Sequence, residues 1–315
     1  QKDRFTIVYP EPRRRVVMDV KKKSRMLADE QRWGYFFIAP QFIGLVLFSV
    51  IPVIQSLGIS FTEWNILNPP VMVGLANYKR LLTNPFTWKL IGNTAYFITG
   101  HIIVTTTVAL LVAMALSNDL KGYVLYRTLY FLPNVTSTVA IALVWQWIFH
   151  PDYGLVNAAL ANFGIPPFGW YVSLEGAMPT LILLTVWQMT GYYMVIFLAG
   201  LNGISRTYYE AAKIDGANKV QVFFRITLPL LTPTLLFILT MMFIGGFQIF
   251  NEPYMLTRGG PADATKTIVL EIYNTAFLYF RMGDAAVYSW LLFAIIFIVT
   301  VIQFKFSNRW VNYDV

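Results

Sequence analysis

The stretch from Ser205 to Pro233, S-R-T-Y-Y-E-A-A-K-I-D-G-A-N-K-V-Q-V-F-F-R-I-T-L-P-L-L-T-P, is the longest polar interruption between apolar blocks in the second half of the chain. Its own punctuation predicts two helices and a turn. Thr207 followed by Glu210 makes a capping box, and Gly216 supplies a residue that turns left-handed at a helix end. A short helix over Tyr208 to Asp215 follows from those signals. Past the glycine, Asn218 is placed to cap a second helix in which Val222, Phe223 and Ile226 recur at helical spacing. Pro229 and Pro233 then restrict how that helix enters the next apolar run.

Outward from this stretch the chain is mostly apolar. Of its 315 residues 57% are hydrophobic and only 13% charged, which is not the composition of a water-soluble domain. A bilayer span needs roughly 20 apolar residues. Six blocks of that size stand out: Gly34 to Phe61, Leu90 to Ser117, Thr128 to Phe149, Met178 to Leu201, Ile226 to Phe250 and Gly283 to Phe304. The fold class expected is therefore an all-α polytopic membrane protein with about six transmembrane helices. A basic arm over residues 1–33 would precede a transmembrane domain over 34–306, the polar loop would occupy 202–225, and a short tail would run over 307–315.

The net charge of +8 raises the question of nucleic acid, and its placement answers it. Of 24 Lys and Arg residues, ten precede Trp33, two lie between Ser117 and Thr128, four in the Ser205 stretch and two after Phe304. Only Lys79, Arg80, Lys89, Arg258, Lys266 and Arg281 fall on the other side. The positive-inside rule puts both termini and the Glu210 loop in the cytoplasm, with the arm, including Arg13 to Arg15 and Lys21 to Lys23, near anionic headgroups. Membrane lipid is the partner this pattern implies, and nucleic acid is not.

Several kinds of chemistry have no support. There is no cysteine and no Gly-x-x-x-x-Gly-Lys-[Ser/Thr] loop, so thiolate metal sites and a nucleotide site of the chain's own are not expected. His101 and His150 have no helix-spaced carboxylate beside them, and no catalytic set or metal cluster stands out. The six blocks hold no Lys, Arg or Glu, and Asp284 lies only at the outer edge of the last. That weighs against a stand-alone ion-coupled or facilitative carrier, the alternative reading, because such carriers place charged groups near the midplane.

Polar and aromatic side chains within membrane helices face protein or a cavity rather than lipid. Gln188 and Tyr192 lie four residues apart in the fourth block, hence on one face, with Tyr193 beside them. Phe247, Gln248 and Asn251 close the fifth block after the pair Gly245-Gly246, which brings another backbone close or loosens the helix. Hydroxyl-bonding amides with aromatic rings suit a sugar, and interhelical packing is the other use for the same residues. His101 is expected to hydrogen-bond between helices.

Four separated motifs resemble one family. Glu210-Ala211-Ala212, Asp215-Gly216-Ala217, Phe224, Ile226, Leu228-Pro229 and Pro233 resemble the EAA loop of the permease subunits of bacterial ABC importers. Gly74-Leu75-Ala76-Asn77-Tyr78, the run from Phe131-Leu132-Pro133 through Trp145, Trp147 and Pro151 to Asn157, and Leu256 to Pro261 resemble elements of the carbohydrate branch, the maltose and glycerol-phosphate permeases. The resemblance implies a type I ABC importer permease fold in the bacterial inner membrane. It implies a coupling helix carrying Tyr208, Glu210, Ala211, Ala212, Asp215 and Gly216 that docks on a cytoplasmic ATPase dimer. It further implies a second homologous permease, an external substrate-binding protein approached by Arg258, Gly259, Gly260 and Pro261, and a carbohydrate cargo. ATP would be bound and hydrolysed on the partner, with no cofactor on this chain, which would itself not be an enzyme.

Overall fold

The computed structural model describes residues 20–117 and 122–312, with side chains from residue 28 onward. Arg13 to Arg15, the side chains of Lys21 to Lys23, Lys121 and the end of the tail lie outside the described residues. The chain divides into two compact units, Gln1–Ser56 and Leu57–Val315.

The first unit is helical: α1 spans Val20–Leu45, a π-helical turn covers Val46–Val50, and α2 begins at Ile51 and runs to Ser60. The wide turn stands just before Pro52, whose missing N–H breaks the ordinary ladder there.

In the second unit a two-residue antiparallel ladder pairs β1, Thr62–Glu63, with β2, Val71–Met72. The helices α3 (Ala76–Thr83), α4 (Pro85–Leu116), α5 (Tyr123–Val135), α6 (Thr138–Ile148), α7 (Leu155–Ala161) and α8 (Ala177–Gly203) follow. After them come α9 (Arg206–Ile214), α10 (Lys219–Val222), a π turn over Phe223–Thr227, α11 (Leu228–Leu230), α12 (Thr232–Phe247) and α13 (Asn251–Leu256). Last are α14 (Ile268–Tyr273), a π turn over Asn274–Leu278 and α15 (Met282–Ser307). The centre of this unit is α4 packed on α8, with α5 against α8, and α12 against both α4 and α15. Phe97, Phe197, Leu181, Leu184, Met194, Ile238 and Met242 fill the contact. Gly191 lets α8 touch the α5 backbone, since a Cβ there would lie 1.9 Å from the Tyr130 carbonyl oxygen.

Four helices among the described residues are long and apolar enough to cross a membrane: Ala28–Ser60, Pro85–Leu116, Ala177–Gly203 and Met282–Ser307. The third and fifth blocks are each part of a bent pair of helices. Tyr123–Val135 and Thr138–Ile148 meet at 97°, and Lys219–Leu230 and Thr232–Phe247 meet at 64°. Pro233 explains the second bend, because it lacks the N–H that the Pro229 carbonyl would accept; the Thr232 hydroxyl donates to that carbonyl instead, at 2.6 Å. The stretch after α6 is organised by Asn157, whose amide donates to the Pro151 and Phe168 carbonyls and accepts from the Phe168 N–H and the Trp170 indole.

Candidate functional site

Three surfaces gather the residues that the sequence singled out. The first is α9. Its N-cap is Ser205, whose hydroxyl accepts from the Thr207 N–H at 3.4 Å; the Thr207–Glu210 capping box does not form, because the helix starts one residue before Thr207. The C-terminus matches expectation. Gly216 has φ +72°, its N–H bonds the Lys213 carbonyl, and the Ala217 N–H bonds the Ala212 carbonyl, together a Schellman closure. Asn218 and Gln221 then form a reciprocal capping box at the start of α10. Ala212 is buried, while Tyr208, Glu210, Ala211, Asp215 and Gly216 are exposed. Ile214, 86% exposed, stands out as an apolar knob at the end of α9, and Val220 and Phe224 are exposed on the following turn. Tyr209 joins α9 to the π turn through a hydroxyl contact with Thr227 at 3.3 Å.

The second surface is a cavity of about 310 Å³ where α4, α8, α12 and α13 meet. Phe97, His101, Thr185, Met189, Tyr193, Gly245, Gly246, Gln248, Asn251 and Glu252 are among its lining residues. The break after Phe247 makes it: the chain leaves α12, turns at Gln248, and re-enters helix at Asn251, so that α13 packs against α6 and α8 instead of continuing outward. Of the expected path residues, Tyr193, Gln248 and Asn251 line the cavity together. Gln188 does not join them: it is 1% exposed and donates to Thr138 of α6 at 3.3 Å. Tyr192 lies edge-on to Tyr193 with ring centroids 5.1 Å apart, and Phe247 is buried in the core. His101 bonds within its own helix, to Thr105 at 3.1 Å, rather than between helices as expected. Glu252 is 8% exposed, and burial pushes its carboxyl above the ordinary value, against the opposing pull of its own backbone N–H.

The third surface is the loop from Thr257 to Thr267. Thr257 and Thr265 hydroxyls meet at 2.6 Å, and Thr265 donates to the Gly260 carbonyl. From α4, Lys89 donates to the Ala262 carbonyl and Asn93 to the Asp263 and Lys266 carbonyls. Lys266 holds Asp263 at 2.8 Å. Arg258, Ala262 and Asp263 sit at positive φ, a conformation kept because these bonds determine the backbone. Gly259 is buried, Gly260 and Pro261 are half-buried, and Arg258 is exposed.

A family model described as "Binding-protein-dependent transport system inner membrane component" matches residues 105–314. The probable ABC transporter permease protein YesP of Bacillus subtilis (strain 168) is 41% identical over 301 residues, 94% of this chain and 97% of that protein. The chain belongs to this family of inner-membrane permease components. Lactose transport system permease protein LacF of Rhizobium radiobacter is 35% identical over 278 residues, 86% of this chain and 92% of its own length. A chain of a bacterial ABC transporter involved in the import of the acidic polysaccharide alginate superposes with TM-score 0.79 at 22% identity, covering 90% of this chain and 99% of that one. That likeness establishes the fold as the type I importer permease kind.

For a permease component, the residues that sequence reading passed over are informative. Glu252 falls one position beyond Asn251 and just past the fifth apolar block, where it reads as an ordinary loop carboxylate. Nothing in spacing signals that the chain bends back and buries it. Ile214 belongs to the short helix by periodicity, and its exposure is visible only in the structure.

Proposed function

We propose that this permease carries a carbohydrate, delivered by an external substrate-binding protein, through a path shared with a second, homologous permease. The cargo class is supported by the cavity's mix of amides, hydroxyls and aromatic rings and by the lactose relative. Both termini and the Glu210 loop face the cytoplasm in this reading, consistent with 18 of 24 Lys and Arg residues lying on that side. An ATPase dimer there binds and hydrolyses ATP, this chain holds no cofactor, and the exposed edge of α9 docks on it. The Arg258 to Pro261 loop meets the binding protein. The observation that carries the proposal is α9: a short helix fixed at both ends, presenting exposed Tyr208, Ala211 and Ile214, and tied through Tyr209 to the turn that leads into α11 and α12.

The test uses the whole assembly in liposomes. Glu210→Lys, and separately Gly216→Val, should abolish ATP-driven sugar uptake while the binding protein keeps its sugar affinity. Undiminished uptake by both variants, or uphill transport by this chain alone, would overturn the reading.

A further inference from the structure

Glu252 is buried in the wall of the cavity with nothing to neutralise it. Among the described residues neither lysine nor arginine lines the cavity, His101 and Tyr193 are the other titratable groups there, and no side chain pairs with the carboxylate, which its own backbone N–H faces. A carboxylate with so little exposure, one backbone N–H and no cation beside it is costly, and that cost persists in a folded protein when a ligand supplies further donors. The neighbours define what such a ligand looks like. Gln248 and Asn251 offer amides and Tyr193 a hydroxyl, while Phe250 provides an apolar ring. A group rich in hydroxyl donors, with an apolar face, satisfies all of them.

We propose that Glu252 is a cargo-contacting residue, its carboxylate accepting hydrogen bonds from neighbouring ring hydroxyls of the transported sugar. This rests on the sugar-importer reading above and adds to it a specificity residue. A carboxylate takes two such bonds side by side, so adjacent ring hydroxyls are its natural partner. Neighbouring Gln248 and Asn251 are exposed to the same space and hold the rest of the ring.

The absence of cysteine from the chain allows a direct test. Gly245 lines the cavity and a Cβ there meets nothing within 4 Å, so Gly245→Cys places a single thiol of this chain beside Glu252. In the complete importer without its binding protein, a cationic methanethiosulfonate should label this thiol faster than an anionic one of equal size. Adding Glu252→Gln should reduce that preference by about tenfold, the effect of removing one nearby charge from a partly screened site. Lactose, maltotriose, arabinotriose and trigalacturonate are then tried as protectants. At least one should slow labelling, and the concentration giving half protection should rise about tenfold with Glu252→Gln, as expected for losing a charge-assisted hydrogen bond. A labelling preference indifferent to Glu252, protection by none of the sugars, or protection unaffected by Glu252→Gln would each overturn the proposal. ATP-driven uptake of the same sugars, measured in parallel, separates the two levels. Uptake without protection sinks the role of Glu252 alone, whereas no ATP-driven uptake sinks the importer reading on which it rests.

Discussion

Asn251 and Glu252 are consecutive, yet the first is exposed and the second buried, and the difference has a thermodynamic consequence. Burial raises the Glu252 pKa in the folded protein, so the folded state favours the protonated acid. A raised pKa means that stability is fully present below the unfolded value, about 4.3 for a glutamate, and is lost as pH rises through the folded value. Glu252→Gln removes that loss. The variant should match the parent's Tm near pH 4, exceed it as pH rises, and keep a constant lead above the folded value, as read by thermal unfolding in detergent; a difference independent of pH would show that burial does not penalise the charge. His101 lines the same cavity, so the comparison is made between proteins differing only at 252. Glycines give the complementary test of packing. Gly191→Ala forces a methyl to within 1.9 Å of the Tyr130 carbonyl and should destabilise by about 1–3 kcal/mol or more. Gly245→Ala, inside α12 with open space around it, should leave stability unchanged or raise it by up to about 1 kcal/mol through helix propensity. Equal melting temperatures for the two variants would contradict the close α5–α8 contact.

At the scale of elements, α9 is held by its ends more than by its core contacts. Ala212 is its one buried residue, while Ser205 closes the first turn and Gly216 with Ala217 the last. Ser205→Ala should therefore cost about 1 kcal/mol of local stability. Hydrogen exchange of the Thr207 to Tyr209 amides should accelerate about fivefold, with α8 unaffected. Uniform acceleration across both helices would show that α9 opens only with the whole unit. This helix was legible in the sequence because its signals are local: a polar run, a glycine at positive φ, and an asparagine followed by Gln221. Even so the cap falls on Ser205, because the capping-box spacing points to Thr207 with Glu210 while the helix starts at Arg206. The third and fifth blocks were legible as apolar segments; Pro229 and Pro233 marked a break at the start of the fifth, whereas the bend of the third and the end of α12 were illegible. Hydropathy sums side chains and is blind to direction. The 97° turn near Ser137 and the end of α12 at Phe247 depend on where α8 and α13 pack, and those contacts join residues 50 or more apart, such as Thr138 with Gln188. The cavity inherits this limit: its amides at Gln248 and Asn251 were foreseeable from polarity near an apolar run, whereas the exclusion of Gln188 was decided by Thr138.

For the whole molecule, tertiary structure shows what gathers at each end, and charge placement alone bears on which end faces inward. One end gathers the loop from Thr257 to Thr267, held on α4 by Lys89 and Asn93, and the start of α15, where Asp284 is bound by Arg80 of α3 and by Arg281. Asp284 is 3% exposed, so this end of the protein is pinned by a carboxylate that two arginines neutralise rather than left loose. The other end carries α9, the capping box of α10 and the end of α15, where the Asn312 N–H donates to Thr232. The lysine and arginine excess lies with α9, which is the distribution that orients membrane proteins with that side inward. A cysteine-free chain makes the orientation measurable with one thiol at a time. Lys213 on α9 and Asp152 in the stretch after α6 are both exposed, so each accepts a reagent once the reagent reaches its side. A membrane-impermeant maleimide applied to intact spheroplasts should label Asp152→Cys fully and Lys213→Cys only after the membrane is opened. The reverse pattern would place α9 outside, where no ATP-hydrolysing partner could reach it, and the coupling role assigned to Tyr208 through Gly216 would fall with it.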